Sequence, residues 1–205
     1  MNKLLSQWSG KDVTVEMCTQ PLALSKLTIN ERKQYDSFTT QSRKIDWLKG
    51  RNALKKLLQK RGGSLDTEQL SFPNSSYSLT HSSGSAIAVA ISDVCGVGVD
   101  FEAWHKVKPK MAEWFLDSAE QRWLSSLCSK EFDREFVRLW TVKEALFKAT
   151  MNNEKLGLID FKLDKPSASA GVASVVNHPH WQLRYRCIVN DVGALCVAFC
   201  QRSSI

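Results

Sequence analysis

The chain has 205 residues, 43% of them apolar and 24% charged, with ten Gly and five Pro; that composition excludes a chain that is mainly disordered and a collagen-like fibre. The longest mild apolar stretch, Ala86 to Ile91, falls far short of the about 20 residues that a membrane-crossing helix needs. A net charge of +7 attracts anions, whether nucleic acid, phosphorylated cofactors, anionic membranes or acidic proteins, and by itself does not choose among them or exclude a plain solvated surface.

Met1 to Asp12 lacks the apolar run and small residues of a secretory signal. None of the six cysteines, Cys18, Cys95, Cys128, Cys187, Cys196 and Cys200, forms a C-x-x-C pair, and several sit among Val, Ala and Leu. They read as reduced, buried thiols of a cytoplasmic protein rather than as zinc ligands.

In chain order, the alternation of Val13 to Met17 predicts a short strand. Asn30 to Lys60 is rich in helix formers, with Trp47, Leu48, Ala53, Leu54, Leu57 and Leu58 at helical spacing, and Gly62-Gly63 stops it. Asp66 to Ser76 is turn-rich. Tyr77 to Thr80 and Ala86 to Ile91 predict a hairpin about Ser82-Ser83-Gly84, and Val97 to Glu102 a further strand. Met111 to Leu116, Ala119 to Leu127 and Glu131 to Met151 read as helices; Leu158 to Leu163, Trp181 to Ile188 and Ala194 to Cys200 read as strands. This is an α+β order, and two similar halves, 1–95 and 96–205, would fit it, meeting near Asp93 to Gly96.

Two segments carry candidate chemistry. In Gly96-Val97-Gly98-Val99-Asp100-Phe101-Glu102, strand alternation turns Asp100 and Glu102 to one face and Val97, Val99 and Phe101 to the other. Two like charges on one face suit either a solvated sheet edge or a divalent cation such as Mg²⁺, which takes one or two carboxylates plus substrate phosphates. In Phe136 to Lys148, helical spacing puts Val137, Trp140, Glu144 and Phe147 on one stripe, with Lys148 a turn beyond Glu144. Glu144 could pair with Lys148 at the rim of the core, or give a third carboxylate to the metal while Lys148 reaches a phosphate.

Gly98-Val99-Asp100-Phe101-Glu102, followed by Trp140-Thr141-Val142-Lys143-Glu144-Ala145-Leu146-Phe147-Lys148, resembles the paired signature of the 4′-phosphopantetheinyl transferases; the similarity spans roughly Asn30 to Asp160. The resemblance implies an enzyme that moves the phosphopantetheine arm of coenzyme A onto a serine of an acidic apo acyl or peptidyl carrier protein and releases 3′,5′-ADP. The length resembles the larger, monomeric type, whose two α+β halves are related by pseudo-twofold symmetry, with the active site in the cleft between them. That type would act in the cytoplasm and take neither nucleic acid nor membrane as partner.

By the same resemblance, Asp100, Glu102 and Glu144 match the acids that bind Mg²⁺, with Mn²⁺ as the alternative ion. Lys148 matches the lysine beside the transferred phosphate, and Lys143 joins the residues that bind coenzyme A, as does Asp100. Glu120 matches, by spacing, an acid proposed as general base for the serine. Ser78-Leu79-Thr80-His81-Ser82 resembles a segment whose Thr80 and His81 would hold phosphate oxygens. Arg43, Trp47, Gly50 and Arg51 resemble a helix whose basic residues face the 3′-phosphate, which Arg32 would join. Two departures stand out: Ser78 replaces the more usual Asn, and Leu70-Ser71-Phe72-Pro73-Asn74-Ser75 lacks the family's Gly-x-Lys-Pro lysine, which shifts the 3′-phosphate to Arg43, Arg51 and His81. A metal-dependent nuclease or nucleotidyl transferase, or a non-catalytic basic nucleic-acid-binding domain, are the competing readings.

Overall fold

The computed structural model describes residues 7–8, 10–63, 65–68, 70–151 and 155–202; the first six residues of the Met1 to Asp12 segment lie outside it. In order come β1 (Gln7–Trp8), β2 (Lys11–Cys18), α1 (Ile29–Ser37), α2 (Gln41–Lys60), β3 (Tyr77–Ser82), β4 (Ser85–Ile91), β5 (Gly96–Ala103), α3 (Ser118–Ser125), α4 (Ser129–Ala149), β6 (Phe161–Leu163), β7 (Ala170–Val175), β8 (Trp181–Val189) and β9 (Gly193–Arg202). The strands form two antiparallel sheets, of order β1-β2-β4-β3 and β5-β9-β8-β7-β6.

Side-chain size dictates how the layers stack. On β4, Ile87, Val89 and Ile91 face inward with Val13 and Val15 of β2, and meet Val97, Val99 and Phe101 of β5 and Leu195, Val197 and Phe199 of β9 in one core between the sheets. The opposite faces are small. Ala86, Ala88 and Ala90 take Ala53, Leu54, Leu57 and Leu58 of α2. Ala194, Cys196, Ala198 and Cys200 take Leu139, Val142, Ala145, Leu146 and Ala149 of α4. Bulky residues between the sheets and small ones beneath the helices thus give a stack of helix, sheet, sheet and helix.

Several expectations need correction. The Asn30 to Lys60 stretch is two helices, because Thr40 caps a new start by accepting the Arg43 amide. Met111 to Leu116 becomes a 3-10 helix over Pro109–Trp114, with Pro109 at its first turn. Leu158 to Leu163 is split into a 3-10 turn, Leu158–Asp160, and a strand of three residues. The buried stripe of α4 runs through Phe136, Leu139, Val142, Ala145, Leu146 and Ala149, and Trp140, Glu144, Phe147 and Lys148 lie half-buried along its margin. None of the six cysteines is in a disulfide, but Cys95 and Cys128 are exposed. Among the described residues, no helix is long and apolar enough to cross a membrane.

Candidate active site

Strand β5 supplies the site's floor. Val97, Val99 and Phe101 enter the core between the sheets, so Gly96, Gly98, Asp100 and Glu102 share the face turned toward α4. Glycine here is a matter of contact: a Cβ on Gly98 would lie 1.8 Å from the Ala145 carbonyl oxygen, and one on Gly96 2.1 Å from that of Ala149. The bare backbone lets α4 settle directly on β5, and this brings Lys148 to Asp100. Lys148 Nζ donates to Asp100 Oδ1 at 2.8 Å and to the Val99 carbonyl at 3.1 Å.

From the other side, edge strand β3 runs beside edge strand β5. The Thr80 hydroxyl donates to Asp100 Oδ1 at 3.0 Å, and the Val99 amide donates to Ser78 Oγ at 3.0 Å. Ser78 thereby satisfies an edge-strand amide that sheet pairing leaves open. Asp100 is 5% exposed, and its Oδ2 is buried with no hydrogen-bond partner. An acceptor left in that state costs about 1–3 kcal/mol.

Glu102 and Glu144 are half-buried near Asp100. Burial pushes both carboxyls above the ordinary range and the Asp100 charge pushes them further. Glu144 adds to the effect on Glu102, against His105 and Lys148. The carboxylates therefore share one field, which Lys148 only partly offsets. Among the described residues, no three His, Cys, Asp or Glu side chains are already disposed as a metal site, so Asp100, Glu102 and Glu144 lie within one another's electrostatic reach without a ready-made three-ligand geometry. The residues still fit a hard divalent cation completed by phosphate oxygens: the donors are all carboxylate oxygens, and Asp100 Oδ2 is buried and unsatisfied.

Lys148 also lines a cleft of about 640 Å³ with Arg43, Trp47, Arg51, Tyr77 and His81. Arg51 is 9% exposed, lies 4.9 Å from the Trp47 ring centroid, and donates to the Thr67 carbonyl at 3.1 Å and to Gln34 Oε1 at 3.3 Å. His81 packs on Gly50, where a Cβ would come within 2.5 Å of Nε2. Burial lowers the His81 pKa, and Arg43 and Lys148 lower it further, against Asp46. Arg43 is exposed, its guanidinium 5.5 Å from the Phe38 ring centroid. The cleft wall thus carries Arg43, Arg51 and His81 together with Lys148, which in turn holds Asp100.

Glu120 and Lys143 are found elsewhere. Glu120 is 1% exposed and Lys143 fully buried; Lys143 Nζ donates to Glu120 Oε2 at 2.8 Å and also to the Phe161 carbonyl. Glu120 Oε2 accepts the Asp117 amide as well, closing a capping box at the start of α3. Neither residue lines the cleft. Sequence reasoning had no signal for this pairing, nor for Gln34, Thr67 and Tyr77 as parts of the cleft and its support.

Parts of the chain are similar to known proteins. A solved structure, the holo-[acyl-carrier-protein] synthase of Thermotoga maritima, aligns at a TM-score of 0.44 with 21% identity, over 54% of this chain and 65% of that one. A 4′-phosphopantetheinyl transferase, gsp, of Aneurinibacillus migulanus is 33% identical over 69 residues, 34% of this chain and 29% of its own, so the match spans under a third of that relative. The family model of the 4′-phosphopantetheinyl transferase superfamily matches residues 96–200, which is just over half of the sequence and includes β5 and α4 whole, and the chain belongs to that superfamily.

Proposed function

We propose that the protein transfers the 4′-phosphopantetheine arm of coenzyme A to a serine of an apo acyl or peptidyl carrier protein and releases 3′,5′-ADP. The observation that carries this reading is the Asp100–Lys148 contact of 2.8 Å at a cleft that also holds Arg43, Arg51 and His81. A coenzyme A molecule offers a pyrophosphate and a 3′-phosphate, and the cleft offers cations for both. Arg43, Arg51 and His81 would hold the 3′-phosphate end, with Thr80 on the phosphate side of Asp100. Lys148 would neutralise the transferred phosphate.

Asp100, Glu102 and Glu144 would hold Mg²⁺, or Mn²⁺, which when bound supplies positive charge to the pyrophosphate and to the leaving phosphate. Transfer of this kind asks the protein chiefly for positioning and charge. The serine hydroxyl also needs a carboxylate to take its proton. Glu120, the expected acceptor, is buried behind Lys143, and its Oε2 already accepts the Lys143 ammonium and the Asp117 amide.

The halves 1–95 and 96–205 would act as pseudo-twofold partners within one monomer. Support comes from the cleft itself, which one chain lines from both halves. The four buried cysteines, none in a disulfide, suit the reducing cytoplasm. A nuclease or nucleic-acid-binding reading has no comparable support.

The deciding experiment incubates the protein with coenzyme A, Mg²⁺ and a panel of apo carrier proteins, and follows carrier mass. A gain of one phosphopantetheine arm on a carrier serine is the expected result; carriers unchanged throughout would overturn the reading.

A further inference from the structure

Glu31 of α1 is 2% exposed, yet no part of the cleft touches it. Both of its oxygens are used. Oε1 accepts the Thr67 hydroxyl; Oε2 accepts the Thr28 amide at 3.0 Å and meets Lys55 Nζ at 3.1 Å. Lys55 in turn donates to the Leu65 carbonyl at 3.0 Å. One carboxylate therefore ties the start of α1, the middle of α2 and the 65–68 segment together.

Thr67 is fully buried, and its carbonyl oxygen receives Arg51 Nη1. Gln34, three residues beyond Glu31 on α1, receives Arg51 Nη2. Both anchors of the guanidinium thus hang from elements that Glu31 fastens, and the Glu31 charge opposes the burial that lowers the Arg51 pKa. Trp47 packs against one face of the guanidinium, which leaves the fork's remaining donors for the cleft.

We propose that Glu31 is a positioning residue, which acts through Thr67 to aim the Arg51 guanidinium at the nucleotide end of the cleft and so sets how strongly the protein prefers coenzyme A over dephospho-coenzyme A. This rests on the reading that Arg51 faces the 3′-phosphate. A bidentate cation aligned in advance binds a phosphate better than one that must be ordered on binding. Loosening its anchors therefore weakens only the ligand that carries that phosphate.

The test is calorimetric titration of the full chain with coenzyme A and with dephospho-coenzyme A, beside steady-state transfer. Glu31→Gln and Thr67→Val should each weaken coenzyme A about tenfold, leave dephospho-coenzyme A unchanged, and raise KM for coenzyme A at constant kcat. Thr67→Val keeps the carbonyl and removes only the hydroxyl, so it decides the matter if Glu31→Gln does not fold. Equal weakening of both ligands would mean plain structural support and overturn the proposal. Arg51→Gln separates the two levels. If it abolishes the preference while Glu31→Gln and Thr67→Val preserve it, the positioning role alone fails; if Arg51→Gln leaves the preference intact, the reading of the cleft's nucleotide end fails and the proposal with it.

Discussion

The Ala145 carbonyl oxygen occupies the place where Gly98 would carry a side chain: a Cβ built there lies 1.8 Å from it and 2.7 Å from the Ala149 amide nitrogen. Both obstacles are backbone, so α4 must retreat from β5 if Gly98 becomes Ala. Overpacking of this kind costs about 1–3 kcal/mol, or more where backbone must shift. Gly98→Ala should lower stability by at least that much in urea denaturation and abolish carrier modification, since Lys148 moves with α4. Gly63→Ala is the control: its Cβ would meet the Leu58 carbonyl at an ordinary 3.5 Å, and stability should stay within about 0.5 kcal/mol.

Glu102 and Glu144 titrate above the ordinary carboxylate range because burial and the Asp100 charge disfavour their ionised forms. The folded protein therefore holds their protons more tightly than the unfolded chain does. Stability rises as pH falls from neutrality through the raised folded values, and at neutral pH both charges weigh against the fold. A divalent cation should reverse that penalty. Mg²⁺ is expected to raise the melting temperature at neutral pH, and to do so less as pH falls into the carboxylate range. Glu144→Gln should melt no lower than the parent without metal, lose most of the Mg²⁺ shift, and lose at least about 100-fold in transfer rate. Undiminished transfer would remove Glu144 from the centre.

The parts legible in the sequence are those with local signals. The β3–β4 hairpin follows from Ser83-Gly84, both at positive φ, between alternating strands. The α2 core stripe follows from helical spacing of Leu54, Leu57 and Leu58. Two strands escaped notice for opposite reasons: β1 has two residues, and β7, Ala170–Val175, alternates small side chains too weakly to show a period. At the site, the motif residues Asp100 and Lys148 do meet. The Glu120–Lys143 pair and the Glu31–Thr67–Arg51 chain join residues far apart in sequence, and only tertiary packing brings such groups together.

His81 titrates below its ordinary 6.5 because burial, Arg43 and Lys148 disfavour the imidazolium. Its contribution to stability is present above 6.5 and is lost as pH falls through the lowered folded value. A phosphate in the cleft supplies the opposite field and pulls the pKa back up. Binding of 3′,5′-ADP near pH 6.5 should therefore take up protons, measured as a dependence of calorimetric heat on buffer ionisation enthalpy. His81→Gln should abolish the uptake. Gly50→Ala, whose Cβ would sit 2.5 Å from His81 Nε2, should diminish it with the imidazole still present.

The charge of +7 gains a role if the partner is an acidic carrier. Complementary fields speed encounter more than they strengthen the docked complex, and salt screens them. The value of kcat/KM for carrier should fall steeply between low and physiological ionic strength while kcat changes little. A salt-insensitive kcat/KM would separate the basic surface from carrier recognition.

Glu120 can be tested as base or as brace by one cycle of variants. Glu120→Gln leaves the fully buried Lys143 ammonium without its counter-charge, a loss of about 3–5 kcal/mol when a buried pair is broken on one side. Lost transfer in that variant alone would therefore say nothing about proton transfer. Glu120→Gln combined with Lys143→Met removes both charges and keeps similar volumes, a replacement that is often neutral or stabilising. If Glu120 braces α3 against α4, the double variant should recover both stability and carrier modification, with the pH profile of kcat/KM unchanged. If Glu120 takes the serine proton, the double variant should fold and remain inactive. The burial of the pair and its absence from the cleft wall favour recovery.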